Sequence, residues 1–190
     1  MSDWSLSTTQ EHRGRLLRAM AQSVAAKGYA DTTIADIVRE ASVSRRTFYE
    51  HFATKADCLV ALYEAASHNA LKVLRGAVDP SRDWEQQVEG ALRAYLDGMA
   101  SNPVLMRTLF VEILHLGEQG LAARRRSNQE IADYMLDVVG RDKVGPELAM
   151  AVVGGIHELV LQAIEQGRVD RLGELTPTAS ALVKAVVHRP

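Results

Sequence analysis

The run SVSRRTFYEHFATK, residues 42–55, holds the side chains of this chain that are best suited to bind DNA. It combines two arginines, a lysine and a histidine with two phenylalanines and a tyrosine, so cations lie beside apolar surface. The first residues of a recognition helix reach base edges in the major groove, and arginine can bond guanine through both O6 and N7. The residues predicted to read bases are Arg45, Arg46 and Thr47.

A second set of residues is suited to contact phosphates, which fixes the register of a protein on DNA without reading its sequence. Thr33 begins the preceding predicted helix, where a hydroxyl lies beside backbone amides that bind anions. The residues predicted to contact the DNA backbone are Thr33, Ser44, Tyr49, His51 and Lys55. Each of three has a plain structural alternative when taken alone: core packing for Tyr49, a helix-end contact for His51 and a solvated helix start for Lys55.

Three predicted helices must hold these side chains in place. The first covers about residues 10–27 with its apolar residues on one stripe, and Gly28 is suited to its C-terminal cap. The second begins at Thr33 in a capping-box pattern, and the third follows an N-cap at Ser44. The face of the third helix that packs inward carries Phe48 and Phe52. Two short helices braced by a longer one form a helix-turn-helix unit.

Residues 32–59, TTIADIVREASVSRRTFYEHFATKADCL, resemble the DNA-binding signature of the TetR (tetracycline-repressor-like) family of bacterial transcription regulators, and the resemblance extends from Leu16 to Leu62. It implies a homodimer with a three-helix N-terminal DNA-binding domain and a larger helical domain that dimerises and usually binds a small effector. The resemblance assigns base reading to Arg45, Arg46 and Thr47, and backbone contacts to Thr33, Tyr49, His51 and Lys55. Ser42 departs from the family pattern, which commonly has glycine in this turn.

Charge is distributed unevenly along the 190 residues. Residues 1–55 carry eight Lys/Arg and six Asp/Glu, a net charge of +2, whereas the remainder carries −4 and the whole chain −2. A mildly basic N-terminal segment on an acidic body is compatible with a segment that meets phosphates. The single cysteine, Cys58, has no partner for an internal disulfide, and no apolar N-terminal stretch resembles a signal peptide, so we expect a cytoplasmic protein.

Helical periodicity runs through the whole chain, which predicts an all-α fold. We place a DNA-binding domain at residues 1–54 and an effector-binding and dimerisation domain at residues 55–190. Pro103 suits the first turn of a helix that continues through VLMRTLFVEILHL, with breaks at Gly117 and Gly120. The apolar run 148–164 is interrupted by polar residues and falls short of a membrane span, so it reads as a buried helix.

The last two predicted helices carry more apolar surface than one chain can bury, because each has two apolar faces. Two such helices from each of two chains form a four-helix dimer interface in the TetR family. We therefore predict a homodimer that binds a palindromic site. The predicted interface residues are Val152, Gly155, Leu159, Ala163, Leu182, Val183 and Val186.

The remaining helices of the C-terminal domain are expected to enclose an effector pocket, since pockets are mostly apolar with a few placed polar groups. Plain core packing is the alternative for each residue. The candidate pocket residues are Trp84, Leu92, Tyr95, Met99, Met106, Phe110, Glu112, His115, Tyr134, Met135 and His157.

The sequence predicts a regulator rather than an enzyme. His157 and Glu158 resemble the start of the zinc motif H-E-x-x-H, but Leu161 stands where the second histidine is required, so no metal and no cofactor is predicted. The leading hypothesis is a repressor that leaves its operator when a small apolar or amphipathic molecule binds. Two alternatives stay open: a regulator without an effector, and a helical enzyme or ligand carrier that has acquired a helix-turn-helix.

Overall fold

A computed structural model describes residues 3–79 and 81–187, with side chains from residue 9 onward, and these residues form helices without a β-strand. The all-α prediction is therefore confirmed. The helices are α1 (Asp3–Asp31), α2 (Ile34–Ala41), α3 (Arg45–His51), α4 (Lys55–Gly76), α5 (Trp84–Ala100), α6 (Pro103–Phe110), α7 (Glu118–Val139), α8 (Pro146–Glu165) and α9 (Thr176–Val187), with short 3-10 helices at Glu112–Leu116 and Val169–Leu175.

The described residues pack as two units. The first unit comprises residues up to 65 together with 107–123, and the second comprises 66–106 and 124–187. The first unit is therefore larger than the domain predicted over residues 1–54, because the 3-10 helix Glu112–Leu116 and the start of α7 belong to it. The domain boundary at residue 54 stays a prediction.

In the first unit, α1 supplies the apolar stripe on which the short helices pack. Leu16, Met20 and Val24 are spaced four residues apart and are at most 1% exposed, as expected for one face of a helix. Gly28 interrupts α1 with φ 81° and ψ 163°, a conformation that favours glycine. One further turn then leads to α2.

The turn between α2 and α3 has the left-handed conformation for which the family commonly uses glycine. Ser42 adopts φ 50° and ψ 49° at the C-cap of α2. Its carbonyl accepts a hydrogen bond of 2.9 Å from Nη2 of Arg15 on α1. The departure from glycine therefore leaves the geometry of the turn intact.

The chain between α6 and α7 differs from the sequence prediction. The helix that begins at Pro103 ends at Phe110, and residues 112–116 form a separate 3-10 helix. Gly117 breaks the chain as predicted, with φ 56°, but Gly120 lies inside α7. A Cβ on Gly120 would lie 2.0 Å from the carbonyl oxygen of Ile113, so glycine is required there for close approach of backbone and not for a turn.

In the second unit, one face of α8 is buried. Its buried residues include Val153, Ile156 and Val160, and it packs with α9 and the 3-10 helix Val169–Leu175. The helix α8 has 20 residues and is long and apolar enough to span a membrane. The run 148–164 considered in the sequence is shorter and is predicted to fall short of a span. A buried core helix meets the same criteria, and the polar His157 within α8 is hydrogen-bonded inside this unit.

Candidate DNA-binding surface and ligand cavity

The recognition helix α3 is fixed at its N-terminus and along its inner face. The Ser44 hydroxyl caps the helix by accepting a hydrogen bond of 3.0 Å from the Thr47 amide, which confirms the predicted N-cap. Phe48 is completely buried, and its ring centroid lies 5.7 Å from that of Phe52. Because the packed face is held in this way, the opposite face of α3 has a defined orientation.

The outer face of α3 is exposed and cationic. Arg45 and Arg46 are both exposed at the first two helical positions. Arg46 Nε lies 3.1 Å from Glu50 Oε1, but its side chain remains 89% exposed, so this pair is a weak surface contact that a stronger acceptor can replace. Tyr49 is 58% exposed and therefore is not a core residue. We call the surface formed by Arg45 and Arg46 the reading face.

The hydroxyls of Thr47 and Thr33 are engaged in local hydrogen bonds. Thr47 Oγ1 lies 2.9 Å from the Ser44 hydroxyl. At the start of α2, the Thr33 amide and hydroxyl both donate to Asp36 Oδ2, at 2.9 Å and 2.6 Å, and the Asp36 amide donates back to Thr33. The predicted capping box is confirmed. It also means that a carboxylate already occupies the position at which we expected an anion to bind.

Several donors hold Asp36 ionised. Lys27 Nζ lies 2.5 Å from Asp36 Oδ2, and Arg39 Nη2 lies 2.8 Å from Oδ1. These hydrogen bonds, the one from Lys27 first and those from Thr33 next, lower the pKa of the Asp36 carboxyl well below its usual range. The capping box therefore persists at any pH at which DNA binding is measured.

Lys55 makes contacts that the sequence did not predict. Its Nζ donates to the carbonyl oxygens of Tyr29 at 2.8 Å and Thr32 at 2.7 Å, with a longer contact of 3.4 Å to Ala30. The same ammonium lies 4.1 Å from the centroid of the Tyr29 ring. Lys55 therefore ties the start of α4 to the end of α1, and its phosphate contact stays a prediction.

His51 lies half-buried at the end of α3, and burial lowers the pKa of its imidazole, with smaller contributions from His12 and Arg13. Arg13 lies over the Phe52 ring, with its Cζ 5.7 Å from the ring centroid. At neutral pH, His51 is thus a neutral hydrogen-bonding group beside a cation. That arrangement is compatible with the predicted phosphate contact.

The second unit encloses an apolar cavity of about 100 Å³. Five helices contribute to it, namely the end of α4 and parts of α5, α7, α8 and α9. Its lining residues are Leu74, Val78, Trp84, Gln87, Val88, Ala91, Leu92, Tyr95, Ile131, Tyr134, Met135, Val138, Val139, Val152, Val153, Ile156, His157 and Val183.

A buried hydrogen-bond chain forms the polar part of the cavity wall. Tyr95 Oη lies 2.8 Å from His157 Nε2, and His157 Nδ1 lies 3.1 Å from Asn128 Oδ1. Burial lowers the pKa of His157 to about 4, and the charge of Arg124 adds to this effect. His157 is therefore neutral at pH 7, with Nδ1–H donating to Asn128 and Nε2 accepting from Tyr95. The lining is uncharged at neutral pH.

Comparison with known proteins finds a match to one family of regulators. The model of the tetR family of bacterial regulatory proteins matches residues 16–62, which contain most of α1, all of α2 and α3 and the start of α4. The similarity to the tetR family thus lies within the first unit. A curated relative, the HTH-type transcriptional activator FasR of Mycolicibacterium smegmatis, is 25% identical over 132 residues, which are 70% of this chain and 60% of FasR. The chain thus spans less than two thirds of this relative.

A second curated relative matches part of the chain, and two solved structures share its fold. The uncharacterised HTH-type regulator YxbF of Bacillus subtilis is 30% identical over 94 residues, 49% of this chain and 25% of YxbF. The fatty acid degradation regulator FadR of Bacillus halodurans superposes with a TM-score of 0.75 at 16% identity, over 90% of this chain and 93% of that protein. FadR of Bacillus subtilis, solved in complex with stearoyl-CoA, gives a TM-score of 0.73 at 15% identity, over 92% of this chain and 98% of that protein.

The cavity contains six of the predicted pocket residues. They are Trp84, Leu92, Tyr95, Tyr134, Met135 and His157. The others lie elsewhere: Met99 and Met106 are buried away from the lining, and Phe110, Glu112 and His115 belong to the first unit. Glu112 instead accepts a hydrogen bond from the Tyr29 amide, and His115 Nδ1 lies 3.3 Å from Glu112 Oε2. Glu112 and His115 lie on a separate 3-10 helix, because the helix predicted through residue 116 ends at Phe110.

The predicted dimer face includes residues that are buried within their own chain. Val152 and Val183 line the cavity, and Ala163 is 2% exposed. Gly155 serves packing inside the chain, because a Cβ there would lie 3.2 Å from Leu182 Cδ2. Val152, Val183 and Ala163 are therefore removed from the surface available to a partner. The predicted residues that keep partial exposure, besides Gly155, are Leu159, Leu182 and Val186.

Proposed function

We propose that this protein is a DNA-binding transcription regulator that recognises a palindromic operator as a homodimer. The observation that carries the proposal is the reading face of α3, where two exposed arginines occupy the helical positions that enter the major groove while Phe48 is completely buried beneath them. The tetR-family relatives of this chain are regulators, and we propose in addition that it has no catalytic activity and acts in the cytoplasm.

DNA recognition is tested by selecting bound sequences from a random duplex library and then measuring affinity by fluorescence anisotropy. We expect enrichment of a two-fold symmetric sequence. Replacing Arg46 with Ala should relax the base preference and weaken binding to the selected site by about 1 to 3 kcal/mol. Arg82→Ala, which removes an exposed arginine of the second unit, is the matched control and should leave binding unchanged. Absence of any enriched sequence would overturn the proposed function.

The dimer is proposed to form through the partly exposed faces of α8 and α9. Gly154 is half-exposed on α8, and a Cβ there would meet no atom within 4 Å in this chain. A leucine at position 154 should therefore be tolerated in a single chain but should obstruct a partner packed on α8. We expect sedimentation to show a dimer for the unaltered protein and a weaker dimer for Gly154→Leu. The control is Gly90→Leu on α5, where a Cβ also has open space.

The apolar cavity is proposed as the site of a small effector that releases the protein from its operator, so that the protein acts as a repressor. The uncharged lining supports an effector that is apolar or has an apolar part, as does the stearoyl-CoA complex of the structurally similar B. subtilis FadR. If the effector favours the state that does not bind DNA, then operator DNA must weaken effector binding by the same factor. Calorimetric titration of the effector with and without operator DNA tests this coupling, and equal effector affinities would exclude it.

A reporter gene under the selected operator tests repression, since loss of the protein should raise expression of the reporter.

A further inference from the structure

Arg75 lies beside the cavity without being part of its apolar lining. Leu74 of α4 and Val78, two residues after the end of α4, line the cavity, and Arg75 lies in the last turn of α4 between them. Arg75 therefore projects from the part of α4 that borders the cavity.

The guanidinium of Arg75 is held against a residue of the cavity wall. Its Cζ lies 5.3 Å from the centroid of the Tyr134 ring, and Tyr134 lines the cavity. A guanidinium over an aromatic face is held there by the ring while its N–H groups stay able to donate hydrogen bonds. The contact thus orients the donors of Arg75 at the border between apolar lining and solvent.

Arg75 makes no ion pair with a carboxylate among the residues that the structure describes. The acidic residue one turn further on, Asp79, accepts instead from Arg82 at 3.1 Å and from the Ser81 hydroxyl at 2.7 Å. An oriented guanidinium is a strong ligand for carboxylate and phosphate, which it can bind through two parallel hydrogen bonds. No charged residue lines the cavity itself, so its interior suits only the apolar part of a ligand.

We propose that Arg75 anchors an anionic head group, a carboxylate or a phosphate, on a ligand whose apolar tail fills the cavity. This inference rests on the proposed ligand-binding function of the cavity and names the ligand class, an anionic amphiphile. The cavity volume of about 100 Å³ suits a short apolar chain in this conformation, because it is smaller than the cavity of about 150 Å³ that is known to take benzene.

The test compares three ligands with one tail and different heads: hexanoate, hexyl phosphate and hexan-1-ol. Affinities are measured by NMR titration of the full chain with labelled methyl groups, and shifts at Ile131 and Met135 verify that the tail enters the cavity. A charge-assisted hydrogen bond should make at least one anion bind about tenfold more tightly than the alcohol. The anion with the larger preference identifies the head group.

Arg75→Gln should remove the preference for the anion while leaving hexan-1-ol affinity within about twofold, and Arg75→Lys should retain part of it because the charge remains. Arg82→Gln and Arg124→Gln are the controls. Arg124 is the cation whose charge acts on His157, so it is the strongest competing anchor. Both control variants should keep the preference of the unaltered protein, and urea unfolding checks that all variants are folded.

The outcomes separate the two proposals. If none of the three ligands shifts the cavity methyl groups, the ligand-binding function of the cavity is wrong, and this inference falls with it. If hexan-1-ol binds as tightly as both anions, or if Arg75→Gln keeps the preference, Arg75 is not the anchor, although the cavity remains a ligand site. Loss of the preference in Arg124→Gln alone would assign the anchor to Arg124 and overturn the inference.

Discussion

The carboxylate of Glu112 accepts a hydrogen bond of 2.9 Å from the backbone amide of Tyr29, a residue 83 positions earlier in the chain. Tyr29 follows Gly28, whose positive φ interrupts α1, so its amide lies at a break in the helix. Glu112 is 9% exposed, and no side chain of α1 itself provides this acceptor. The first unit thus depends on a residue from the 3-10 helix Glu112–Leu116 to hold the end of α1.

Replacing Glu112 with Ala should lower the free energy of unfolding by about 2 kcal/mol, because a partly buried amide loses a charged acceptor. Glu112→Gln keeps an acceptor oxygen and should cost less. Urea unfolding measures both changes, and amide hydrogen exchange at Tyr29 should accelerate in the alanine variant. Glu130→Ala removes an exposed carboxylate of α7 and should change stability by less than about 0.5 kcal/mol. Unchanged exchange at Tyr29 would contradict the role of Glu112.

Gly120 should be intolerant of even one added carbon. A Cβ there would lie 2.0 Å from the carbonyl oxygen of Ile113, which is backbone and cannot rotate away. Gly120→Ala should therefore lower the free energy of unfolding by about 1 to 3 kcal/mol. Gly90→Ala in α5 has open space and should raise it by up to about 1 kcal/mol, since alanine favours helix. Thermal or urea unfolding of the pair should thus give changes of opposite sign, and equal changes would refute the close approach.

Local signals in the sequence were sufficient for the recognition helix and its supports. The capping box at Thr33, the N-cap at Ser44 and the left-handed turn at Ser42 each depend on a few consecutive residues. Periodicity also separated buried Phe48 from exposed Arg46. What these residues contact on DNA stays a prediction, because a single chain without DNA does not test it.

Contacts between distant segments were not predictable from local pattern. Glu112 was expected in a ligand pocket but binds a backbone amide. The sequence around a polar residue in an apolar stretch is the same in both cases, so local pattern cannot distinguish them. Val152 and Val183 were expected at a dimer face but are buried within their own chain. An apolar residue type does not indicate whether the same chain or a second copy covers it. The side of α8 that faces the cavity is decided by how α5 and α7 pack on it.

Lys55 is expected to stabilise the first unit through its ammonium. Lys55→Met keeps the aliphatic stem but removes the donor to the carbonyl oxygens of Tyr29 and Thr32. The loss should be about 1 to 3 kcal/mol in the free energy of unfolding, because partly buried acceptors lose a charged donor. Lys27→Met is the control, since its pair with Asp36 is more exposed and should cost less than about 1 kcal/mol. Equal losses in the two variants would argue against the structural role.

The same variant separates a structural role of Lys55 from a phosphate contact. If Lys55 also binds phosphate, the slope of log affinity against log salt concentration should fall by about one in Lys55→Met, measured on DNA under conditions where the variant is folded. An unchanged slope together with reduced stability would restrict Lys55 to its contacts with α1.

His157 should make the stability of the second unit depend on pH between about 6.5 and 4. Burial lowers its pKa from 6.5 to about 4 in the folded chain, so the unfolded chain takes up a proton first as the pH falls. Protonation therefore favours unfolding, and the stability that is present above pH 6.5 is lost progressively below it. From pH 7 to pH 4.5 this loss of stability amounts to about 2 to 3 kcal/mol.

The variant His157→Gln cannot take up this proton, so it should lose that much less stability on acidification. The control His68→Gln alters an exposed histidine and should follow the unaltered protein. Urea unfolding at a series of pH values measures the difference, and parallel pH curves for the unaltered protein and His157→Gln would show that the imidazole is not held neutral.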